Sequence, residues 1–251
     1  MRLLTKVNSI IRAVTFTRRP KTAAVILAAG VGSRMQRSDG KTKQLFTLAG
    51  VPVVVRTVLA FDKSPYIDEI VLVARKEEIE TLKALFAVYE TEHAIRIVAG
   101  GKTRQESSLI GFEAISPKMK FVAIHDAARC LITEGMIAKV VSAAYATGAA
   151  SAGMPISDTV KKVDKSFCVE QTVDRSNLWR ATTPQVFRTE LYRAAAYTAR
   201  DEELSATDDN MLAEHIGYKV RLIDCGDQNI KLTTPTDLYV AEAILKSREE
   251  G

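Results

Sequence analysis

Residues 23–35 read AAVILAAGVGSRM, an apolar run that passes directly into a loop with two glycines. The run 23–28 predicts a buried β-strand, and the end of a strand is where an open α/β sheet places its ligand. Gly30 and Gly32 can adopt positive φ and let phosphate oxygens approach backbone N–H groups. Arg34 adds guanidinium donors for the same oxygens. This stretch therefore predicts a phosphate site at the end of a strand.

The loop fits neither of two common phosphate-binding motifs. The dinucleotide motif GxGxxG needs a third glycine where Met35 stands. The P-loop motif GxxxxGK[ST] also fails, because the GKT triplets at Gly40 and Gly101 have Met35 and Arg96 where its first glycine belongs. NAD-dependent enzymes and P-loop NTPases are thus disfavoured. A tight structural turn without a ligand is the alternative explanation of the glycine pair.

Short apolar runs alternate with helical patterns along the rest of the chain. Patterns typical of strands occupy residues 23–28, 69–74, 94–98, 121–125 and 219–224. Patterns typical of helices occupy residues 52–62, 76–88, 104–115, 133–147, 188–199, 208–215 and 236–248. This alternation predicts an α/β fold, with a Rossmann-like, mostly parallel sheet and helices on both faces.

Residues 157–178 interrupt that alternation. They contain two β-rich halves, TVKKV and CVEQTV, around the polar turn Asp164-Lys165-Ser166, a pattern that predicts a β-hairpin arm. Because a lone hairpin is only marginally stable in water, we expect this arm to pack on a second subunit and form a homodimer. A hairpin that folds back on its own domain is the alternative.

The chain divides by charge into a basic N-terminal extension, residues 1–22, and a single domain, residues 23–251. Six of the 35 basic residues lie in the extension, and no acidic residue precedes Asp39. The remaining 29 basic and 30 acidic residues nearly cancel, which argues against a nucleic-acid partner. The extension has apolar residues at helical spacing among its cations. It is interpreted as a membrane-surface helix, a targeting segment or a loosely packed arm.

Two further features limit the functional classes. No apolar run approaches the ~20 residues that span a bilayer, so we expect no transmembrane segment. The cysteines Cys130, Cys168 and Cys225 and the three histidines are widely separated, which disfavours a zinc site. We expect a cytoplasmic protein, with plastid targeting by the extension as the less favoured alternative.

The motifs of the chain resemble those of a known enzyme family. LAAGxGSRM at residues 27–35, followed by Lys43-Gln44, resembles the opening of nucleotide-sugar pyrophosphorylases and related nucleotidyltransferases. Later segments that occur in the expected order are HDAAR at 125–129, Asp158-Thr159, TVDR at 172–175, TPQ at 183–185 and NIK at 229–231. Together they resemble the 2-C-methyl-D-erythritol 4-phosphate cytidylyltransferases, nucleotidyltransferases with a glycosyltransferase-A-like fold. The resemblance covers about residues 22–246.

The resemblance implies transfer of CMP from CTP to a sugar-alcohol phosphate, 2-C-methyl-D-erythritol 4-phosphate, with release of pyrophosphate in the non-mevalonate isoprenoid pathway. It implies that Arg34 and Lys43 stabilise the transition state, while Arg175 and Lys231 bind and aim the acceptor phosphate. The residues implied in CTP binding are Ala28, Ala29, Gly30, Gly32, Ser33, Gly101, Arg104, Ser107, Asp126 and Ala127. The residues implied in acceptor binding are Asp158, Thr159, Arg175, Thr207 and Lys231.

Asp126 is also the candidate ligand for Mg²⁺ or another divalent cation, since a carboxylate at a strand end suits a hard metal ion. A helix-capping role for Asp126 is the alternative. We interpret His125 as a packed polar residue rather than a catalytic base. Cys130 stands where the family motif usually has proline, which puts the geometry of this turn in question.

Three other functions are alternatives to the cytidylyltransferase function that the resemblance implies. A cytidylyltransferase for another polyol phosphate, such as ribitol 5-phosphate, would share the scaffold, although the HDAAR run favours methylerythritol phosphate. A UTP- or GTP-dependent sugar-nucleotide pyrophosphorylase is disfavoured by the ordered acceptor motifs. A catalytically idle nucleotide-binding protein should have lost some of its charged residues, yet Arg34, Lys43, Asp126, Arg175 and Lys231 are all present.

Overall fold

The structure, a computed structural model, describes residues 19–30 and 42–250, with the side chain of Lys43 excepted. The strands in chain order are β1 (Thr22–Leu27), β2 (Thr47–Leu48), β3 (Val51–Pro52), β4 (Glu69–Ala74), β5 (Ile95–Ala99), β6 (Phe121–Asp126), β7 (Ala149–Pro155), β8 (Val160–Val163), β9 (Val169–Val173), β10 (Trp179–Arg188) and β11 (Arg221–Asp224). The α-helices are α1 (Val53–Asp62), α2 (Ile79–Phe86), α3 (Arg104–Glu113), α4 (Glu134–Thr147), α5 (Thr189–Asp201), α6 (Asp209–His215) and α7 (Pro235–Glu249).

The main sheet of the described residues has seven strands in the order β11-β7-β10-β6-β1-β4-β5. All neighbouring strands are parallel except around β10, which runs antiparallel to both β6 and β7. The predicted mostly parallel α/β sheet is therefore confirmed. Strand β1 lies between β4 and β6, so its carboxyl end opens in the middle of the sheet.

Helices cover both faces of this sheet, as predicted. Alternate residues of β1 face opposite ways: Ala24 and Ile26 pack in one core, and Val25 and Leu27 in the other. The first core includes side chains of α1, α2 and α4, and the second includes side chains of α3, α5 and α6. Burial on both sides explains why β1 reads as a continuous apolar run. No helix in the described part of the chain is long and apolar enough to cross a bilayer.

The five strands and seven helices predicted from sequence are present, with most ends within two residues of the prediction. The pattern at 76–88 is divided into a single 3-10 turn, Lys76–Glu78, and α2. Two strands of the main sheet, β7 and β10, were not predicted. β7 reads AASAGMP and lacks the β-branched and aromatic residues that mark strands. β10 contains Pro184, which usually argues against a strand, but a register shift between Ala181 and Gln185 accommodates it.

The start of β1 is clamped to the domain. Arg19 donates to both carboxylate oxygens of Asp68, at 2.6 and 3.2 Å, and the backbone N–H of Thr22 donates to the same carboxylate at 2.8 Å. Tyr145 contacts Pro20 and Thr22 through its hydroxyl. Thr22, assigned to the extension from sequence, is a fully buried residue of β1. Residues 1–18 lie outside the described part, so their membrane or targeting role stays a prediction.

The predicted hairpin at 157–178 is confirmed as β8 and β9, which pair antiparallel in a two-stranded sheet of their own. Asp164 closes the turn by accepting from the backbone N–H groups of Ser166 and Cys168, at 2.8 and 2.9 Å. The hairpin carries apolar side chains on its surface, of which Phe167 is 86% exposed and Val169 is 60% exposed. Packing on a second subunit stays a prediction.

Candidate active site

A cleft of about 230 Å³ opens at the carboxyl ends of β1 and β6, beside the start of α3. It is lined by Leu27, Ala29, Gly30, Gln44, Gly101, Lys102, Thr103, Arg104, Ser107, Asp126, Ala128 and Lys231. These residues come from segments far apart in the chain, which the parallel sheet brings together at one edge. The predicted strand-end location of the ligand site thus coincides with a cleft.

Neither of two glycines at the cleft, Gly30 and Gly100, has a positive φ. A Cβ on Gly100 would lie 2.6 Å from the Cβ of Ala29 and 2.8 Å from Ser107 Oγ, so a side chain there would push the β1 loop away from α3. Gly30 does not have the positive φ expected from sequence, and a Cβ there would meet no described atom within 4 Å. Residues 31–41, with Gly32, Ser33 and Arg34, lie outside the described residues.

Asp126 ends β6 in the cleft, where it accepts hydrogen bonds from two cations and lies 4.0 Å from a third, Arg129 Nε. Its Oδ1 accepts from Arg104 Nε at 3.2 Å, and its Oδ2 accepts from Lys231 Nζ at 2.7 Å. Burial by itself would raise the pKa of Asp126, but the charges of Arg104 and Lys231 outweigh it and hold the pKa well below its ordinary value. Asp126 is therefore ionised at neutral pH. No helix begins at Asp126, so the alternative helix-capping role is wrong.

The turn after Asp126 forms although Cys130 replaces the usual proline. The backbone N–H of Arg129 donates to the carbonyl of Asp126 at 2.9 Å, and Cys130 is buried against Leu48 and Leu131. Burial raises the pKa of the Cys130 thiol to about 11. Cys130 thus acts as an apolar core residue in this turn.

Arg104 begins α3 and links two carboxylates. Besides its bond to Asp126, its Nη1 donates to Asp209 Oδ2 at 2.7 Å. Burial opposes the charge of Arg104, but Asp209 and Asp126 together raise its pKa above the ordinary value. The alternative in which Arg104 is a surface residue on an ordinary helix start is therefore wrong.

The start of α3 is shaped by its own polar side chains. Thr103 caps the helix by accepting from the N–H of Glu106 at 3.0 Å. Ser107 Oγ accepts from the N–H of Gly101 at 3.1 Å and donates to the carbonyl of Thr103 at 2.9 Å. These bonds fix the loop that forms one wall of the cleft.

His125 is a packed polar residue, as interpreted from sequence. It is fully buried, its Nε2 lies 3.2 Å from the carbonyl oxygen of Arg129, and its Nδ1 lies 3.0 Å from Thr183 Oγ1. Burial lowers the pKa of His125 to about 3, so the imidazole is neutral at physiological pH. It orients the strand end from behind and does not line the cleft.

The predicted site residues fall into three groups. Those that line the cleft are Ala29, Gly30, Gly101, Arg104, Ser107, Asp126 and Lys231. Ala28 and Ala127 are buried directly beneath it, where Ala127 donates its N–H to the carbonyl of Leu27. The structure does not bring Asp158, Thr159, Arg175 or Thr207 to this cleft; all four are exposed elsewhere on the chain.

Lys43 lies in a single 3-10 turn next to Gln44, which lines the cleft. The side chain of Lys43 is not among the described parts of the structure.

The predicted acceptor-binding residues at the base of the hairpin make few side-chain contacts. Arg175 is exposed and donates from Nη1 to the carbonyl of Ser157, which ties the two ends of the hairpin together. Asp174 beside it accepts from the N–H and hydroxyl of Ser176, at 3.0 and 2.6 Å. In this chain the acceptor-binding set is therefore divided, with Lys231 in the cleft and the other members outside it.

Some polar residues in and behind the cleft were not predicted from the sequence. Gln44 lies in the wall and donates from Nε2 to the carbonyl of Gly30 at 3.0 Å; the Lys43-Gln44 pair was noted only for its lysine. Asp209 lies behind Arg104, in the run Asp208-Asp209-Asn210. Three consecutive polar residues at the start of a helix pattern could have indicated a buried network, since a solvated cap needs only one of them.

Asp126 does not belong to a larger set of metal ligands. Within residues 19–30 and 42–250, no group of three or more His, Cys, Asp or Glu side chains is arranged to hold a metal ion. A divalent cation in this cleft would therefore take most of its ligands from bound phosphates and water, as magnesium commonly does.

The comparison with known proteins agrees with the geometry of the cleft. A family model described as IspD, 2-C-methyl-D-erythritol 4-phosphate cytidylyltransferase, matches residues 22–247. The chain belongs to this cytidylyltransferase family. The family member from Syntrophus aciditrophicus is 39% identical over 234 residues, which is 93% of this chain and 99% of that protein. The one from Alkaliphilus oremlandii is 40% identical over 232 residues, covering 92% and 98%.

Solved structures of the family have the same fold. The crystal structure of 4-diphosphocytidyl-2C-methyl-D-erythritol synthase from Anaerococcus prevotii superposes with a TM-score of 0.79 at 30% identity, covering 90% of this chain and 99% of that one. The 2-C-methyl-D-erythritol 4-phosphate cytidylyltransferase from Thermus thermophilus gives a TM-score of 0.71 at 28% identity, covering 88% and 98%. The α/β fold of the family therefore extends over the whole described domain.

Proposed function

We propose that this chain transfers CMP from CTP to 2-C-methyl-D-erythritol 4-phosphate, giving 4-diphosphocytidyl-2-C-methyl-D-erythritol and pyrophosphate in the cytoplasm. Membership of the cytidylyltransferase family supports the reaction. The observation that carries the proposal for this molecule is the cleft, in which Arg104, Asp126 and Lys231, from three separate motifs, meet in one chain of ion pairs.

In this reaction an oxygen of the acceptor phosphate attacks the α-phosphorus of CTP. A new P–O bond forms, the bond from the α-phosphorus to the β-bridging oxygen breaks, and pyrophosphate leaves with the electron pair. Because both reactants are anions, the protein must bring them together and neutralise the charge that develops on the α-phosphate. No acid–base side chain is required for this, which agrees with the neutral, buried state of His125.

On the nucleotide side, the proposed phosphate-binding cations are Arg34, Lys43 and Arg104. The proposed cytosine-binding wall is the loop at Gly100 and Gly101, where an added Cβ would lie 2.6 Å from Ala29 Cβ and 2.5 Å from Glu106 Cβ, respectively. On the acceptor side, Lys231 is the proposed cation of the cleft. Asp126 holds its ammonium group at 2.7 Å, so the position of Lys231 is fixed before an anion arrives.

Mg²⁺ is the proposed divalent cation, with Asp126 as its protein ligand. The low pKa of Asp126 makes it a suitable oxygen donor, although both of its oxygens already accept from cations in this chain. The metal ion, when bound with the triphosphate, supplies positive charge to the α-phosphate and the leaving pyrophosphate. Each carboxylate oxygen has a further lone pair, so Asp126 would hold the ion without losing its bonds to Arg104 and Lys231.

The acceptor site is proposed to be completed by a second copy of the chain. Asp158, Thr159 and Arg175 lie at the base of the hairpin and do not line the cleft of their own chain. The exposed apolar side chains of the hairpin, led by Phe167, would gain stability by packing on a partner. A homodimer in which each arm reaches the other cleft would unite Arg175 with Lys231.

Subunit mixing tests this arrangement. Arg175→Ala and Lys231→Ala should each be nearly inactive alone. Since random mixing makes half of the dimers heterodimers, and each of these has one intact site, the mixture should recover about a quarter of wild-type activity. No recovery after verified subunit exchange would contradict sites completed in trans, and a fully active monomer would contradict the dimer requirement.

The reaction itself is tested by release of pyrophosphate from CTP with magnesium and a defined acceptor. We expect turnover with 2-C-methyl-D-erythritol 4-phosphate, and at least ~100-fold lower kcat/KM with ribitol 5-phosphate or with UTP in place of CTP. Preference for ribitol 5-phosphate would replace the proposed acceptor. Absence of turnover with any acceptor, in protein that binds CTP, would favour a nucleotide-binding protein without catalysis.

A further inference from the structure

Behind the cleft lies a buried carboxylate, Asp209, that the proposed reaction does not use. It is the first residue of α6 and is 1% exposed. Its Oδ2 accepts from Arg104 Nη1 at 2.7 Å. Arg104 and Asp209 are 105 residues apart in sequence, so this bond joins the start of α3 to the start of α6.

The position of Asp209 is fixed without any help from Arg104. Its Oδ1 accepts from Ser108 Oγ at 2.6 Å and from the hydroxyl of Tyr192 at 2.8 Å. Its backbone N–H donates to Gln185 Oε1 at 2.8 Å. Gln185 in turn donates from Nε2 to Asp208 Oδ2 at 2.7 Å. A carboxylate held by two hydroxyls and a backbone bond is a rigid acceptor for Arg104.

The bond from Asp209 also determines which donors of Arg104 face the cleft. Nε of Arg104 is engaged by Asp126 and Nη1 by Asp209, whereas no group in residues 19–30 or 42–250 accepts from Nη2. Because the guanidinium is planar and two of its nitrogens are hydrogen-bonded, the direction of the third nitrogen, Nη2, is fixed. Arg104 is 30% exposed and lines the cleft, so this remaining donor is available to a ligand there.

The four charged groups form a row of alternating sign, Asp209, Arg104, Asp126 and Lys231, which runs from the core into the cleft. Asp126 is shared by Arg104 and Lys231, and it is the only carboxylate among the cleft-lining residues that the structure describes. Without Asp209, Arg104 could turn about its bond to Asp126 and move its Nη2 away from the nucleotide. Asp209 therefore has a role that depends on Arg104 and not on Lys231.

We propose that Asp209 is a positioning residue for the nucleotide: by fixing Arg104 from behind, it aims the guanidinium at the CTP phosphates and sets the affinity for CTP but not for the acceptor phosphate. This inference rests on the proposed function. Ser108 and Tyr192 are its supports, since their hydroxyls hold the carboxylate in place.

The test is a kinetic comparison of Asp209→Asn with a matched control, Asp62→Asn. Both remove the charge of a buried carboxylate. Asp62 is 2% exposed, does not line the cleft, and accepts from the N–H groups of Glu92 and His93. For Asp209→Asn we expect KM for CTP to rise about tenfold, because an ion pair becomes a bond from the guanidinium to an uncharged amide oxygen, with kcat and the acceptor KM within about twofold. Asp62→Asn should leave both KM values unchanged.

A double-mutant cycle shows whether the effect passes through Arg104. In an Arg104→Ala background, Asp209→Asn should raise KM for CTP by less than about twofold, because the side chain that it positions is gone. If Asp209→Asn does not fold, Arg104→Lys serves instead. A lysine cannot bridge both carboxylates, so KM for CTP should again rise about tenfold with the acceptor KM unchanged.

Three results would overturn the inference: unchanged CTP kinetics in Asp209→Asn or Arg104→Lys, equal rises in both KM values, or a full effect of Asp209→Asn in the Arg104→Ala background. Failure of the proposed function is a separate result, seen as no pyrophosphate release by the wild type. In that case calorimetric titration with CTP alone still tests the inference, since Asp209→Asn should weaken CTP binding about tenfold and Asp62→Asn should not.

Discussion

The cleft and the hairpin arm both contain charged residues of the family motifs. These charges are paired and partly buried in the cleft, but exposed in the arm. In the cleft, the side chain of Asp126 is 11% exposed and pairs with three cations of its own chain. In the arm, Arg175 is exposed and contacts a backbone carbonyl at the base of its own hairpin. One region is preorganised within the monomer, and the other presents its groups to solvent.

This difference indicates where each half of the site obtains its order. Charges that are partly desolvated interact more strongly, and paired groups need no reorganisation when an anion binds. Exposed charges on a two-stranded sheet have neither advantage until another surface covers them. The cleft is therefore ordered within one chain, whereas the charges of the arm would become ordered only in the proposed homodimer.

The strongest test of this contrast is Asp126→Asn. Loss of its charge should release Lys231 and loosen Arg104, and turnover should fall by roughly 100- to 1,000-fold, as expected when preorganised electrostatics are removed. The matched change in the arm is Asp164→Asn, which should preserve the turn because asparagine also accepts from backbone N–H groups. Steady-state kinetics should show less than a twofold effect for the arm variant. Similar losses in the two variants would remove the contrast.

A pair of lysines provides the next test. Lys43→Ala, beside the cleft, should lower turnover by ~100-fold, since one well-placed cation on the reacting phosphates contributes about that much. Lys162→Ala, in the arm, removes an exposed ion pair with Glu170 and should change turnover by less than twofold. Single-turnover rates with saturating CTP separate these outcomes. A tenfold or smaller effect of Lys43→Ala would count against its assigned role.

The buried histidine behind the cleft gives a pH-dependent prediction. The folded-state pKa of His125 is about 3, below its ordinary value near 6.5, so the unfolded chain binds the proton first as pH falls. Stability from the neutral ring is present above about pH 6.5 and declines toward pH 3. Between pH 7 and pH 4.5, His125 should account for a loss of about 2–3 kcal/mol.

Urea unfolding at several pH values measures this loss. His125→Asn should have a flatter pH dependence than the wild type over that range. An unchanged slope in His125→Asn would mean that other groups cause the acid sensitivity.

The smallest expected effect concerns the surface of the arm. Phe167→Ser should weaken the proposed homodimer by roughly tenfold or more, since a Phe side chain contributes about 1.5–3 kcal/mol when buried. The urea-unfolding free energy of the monomer should change by only about 0.5 kcal/mol, because Phe167 is 86% exposed in the single chain. Sedimentation velocity over a concentration series measures the first quantity. A wild type that stays monomeric at high micromolar concentration would contradict the dimer.

Much of the fold could be predicted because local and tertiary preferences coincide. Strand β1 is buried on both faces and reads as an uninterrupted apolar run, and α7 begins at Thr234-Pro235 with a capping box closed by Asp237. Strands β7 and β10 could not be predicted in this way. The first consists largely of small residues, and the second is an antiparallel insertion with a proline that only its tertiary register accommodates.

For the site, individual residues could be predicted from the sequence, but their pairing could not. Motifs identified Arg104, Asp126 and Lys231 individually, but nothing in the sequence spacing indicates that Asp126 lies between the other two. Asp209 was missed because its partner Arg104 is 105 residues away, and a buried carboxylate looks the same in sequence as an exposed one. Long-range pairing of this kind is determined by the sheet order, which the missed strand β10 helps to establish.

The clamp at the start of β1 has a practical consequence for handling the protein. Arg19 and Asp68 fasten the chain at one end of a six-residue strand whose other end, Leu27, lines the cleft. At 3.2–3.4 Å per residue, the five steps from Thr22 to Leu27 place the two ends about 17 Å apart. A fluorophore, affinity tag or solid support joined before Arg19 is therefore attached at the end of the sheet away from the cleft. Immobilisation through that end should leave substrate access and turnover intact.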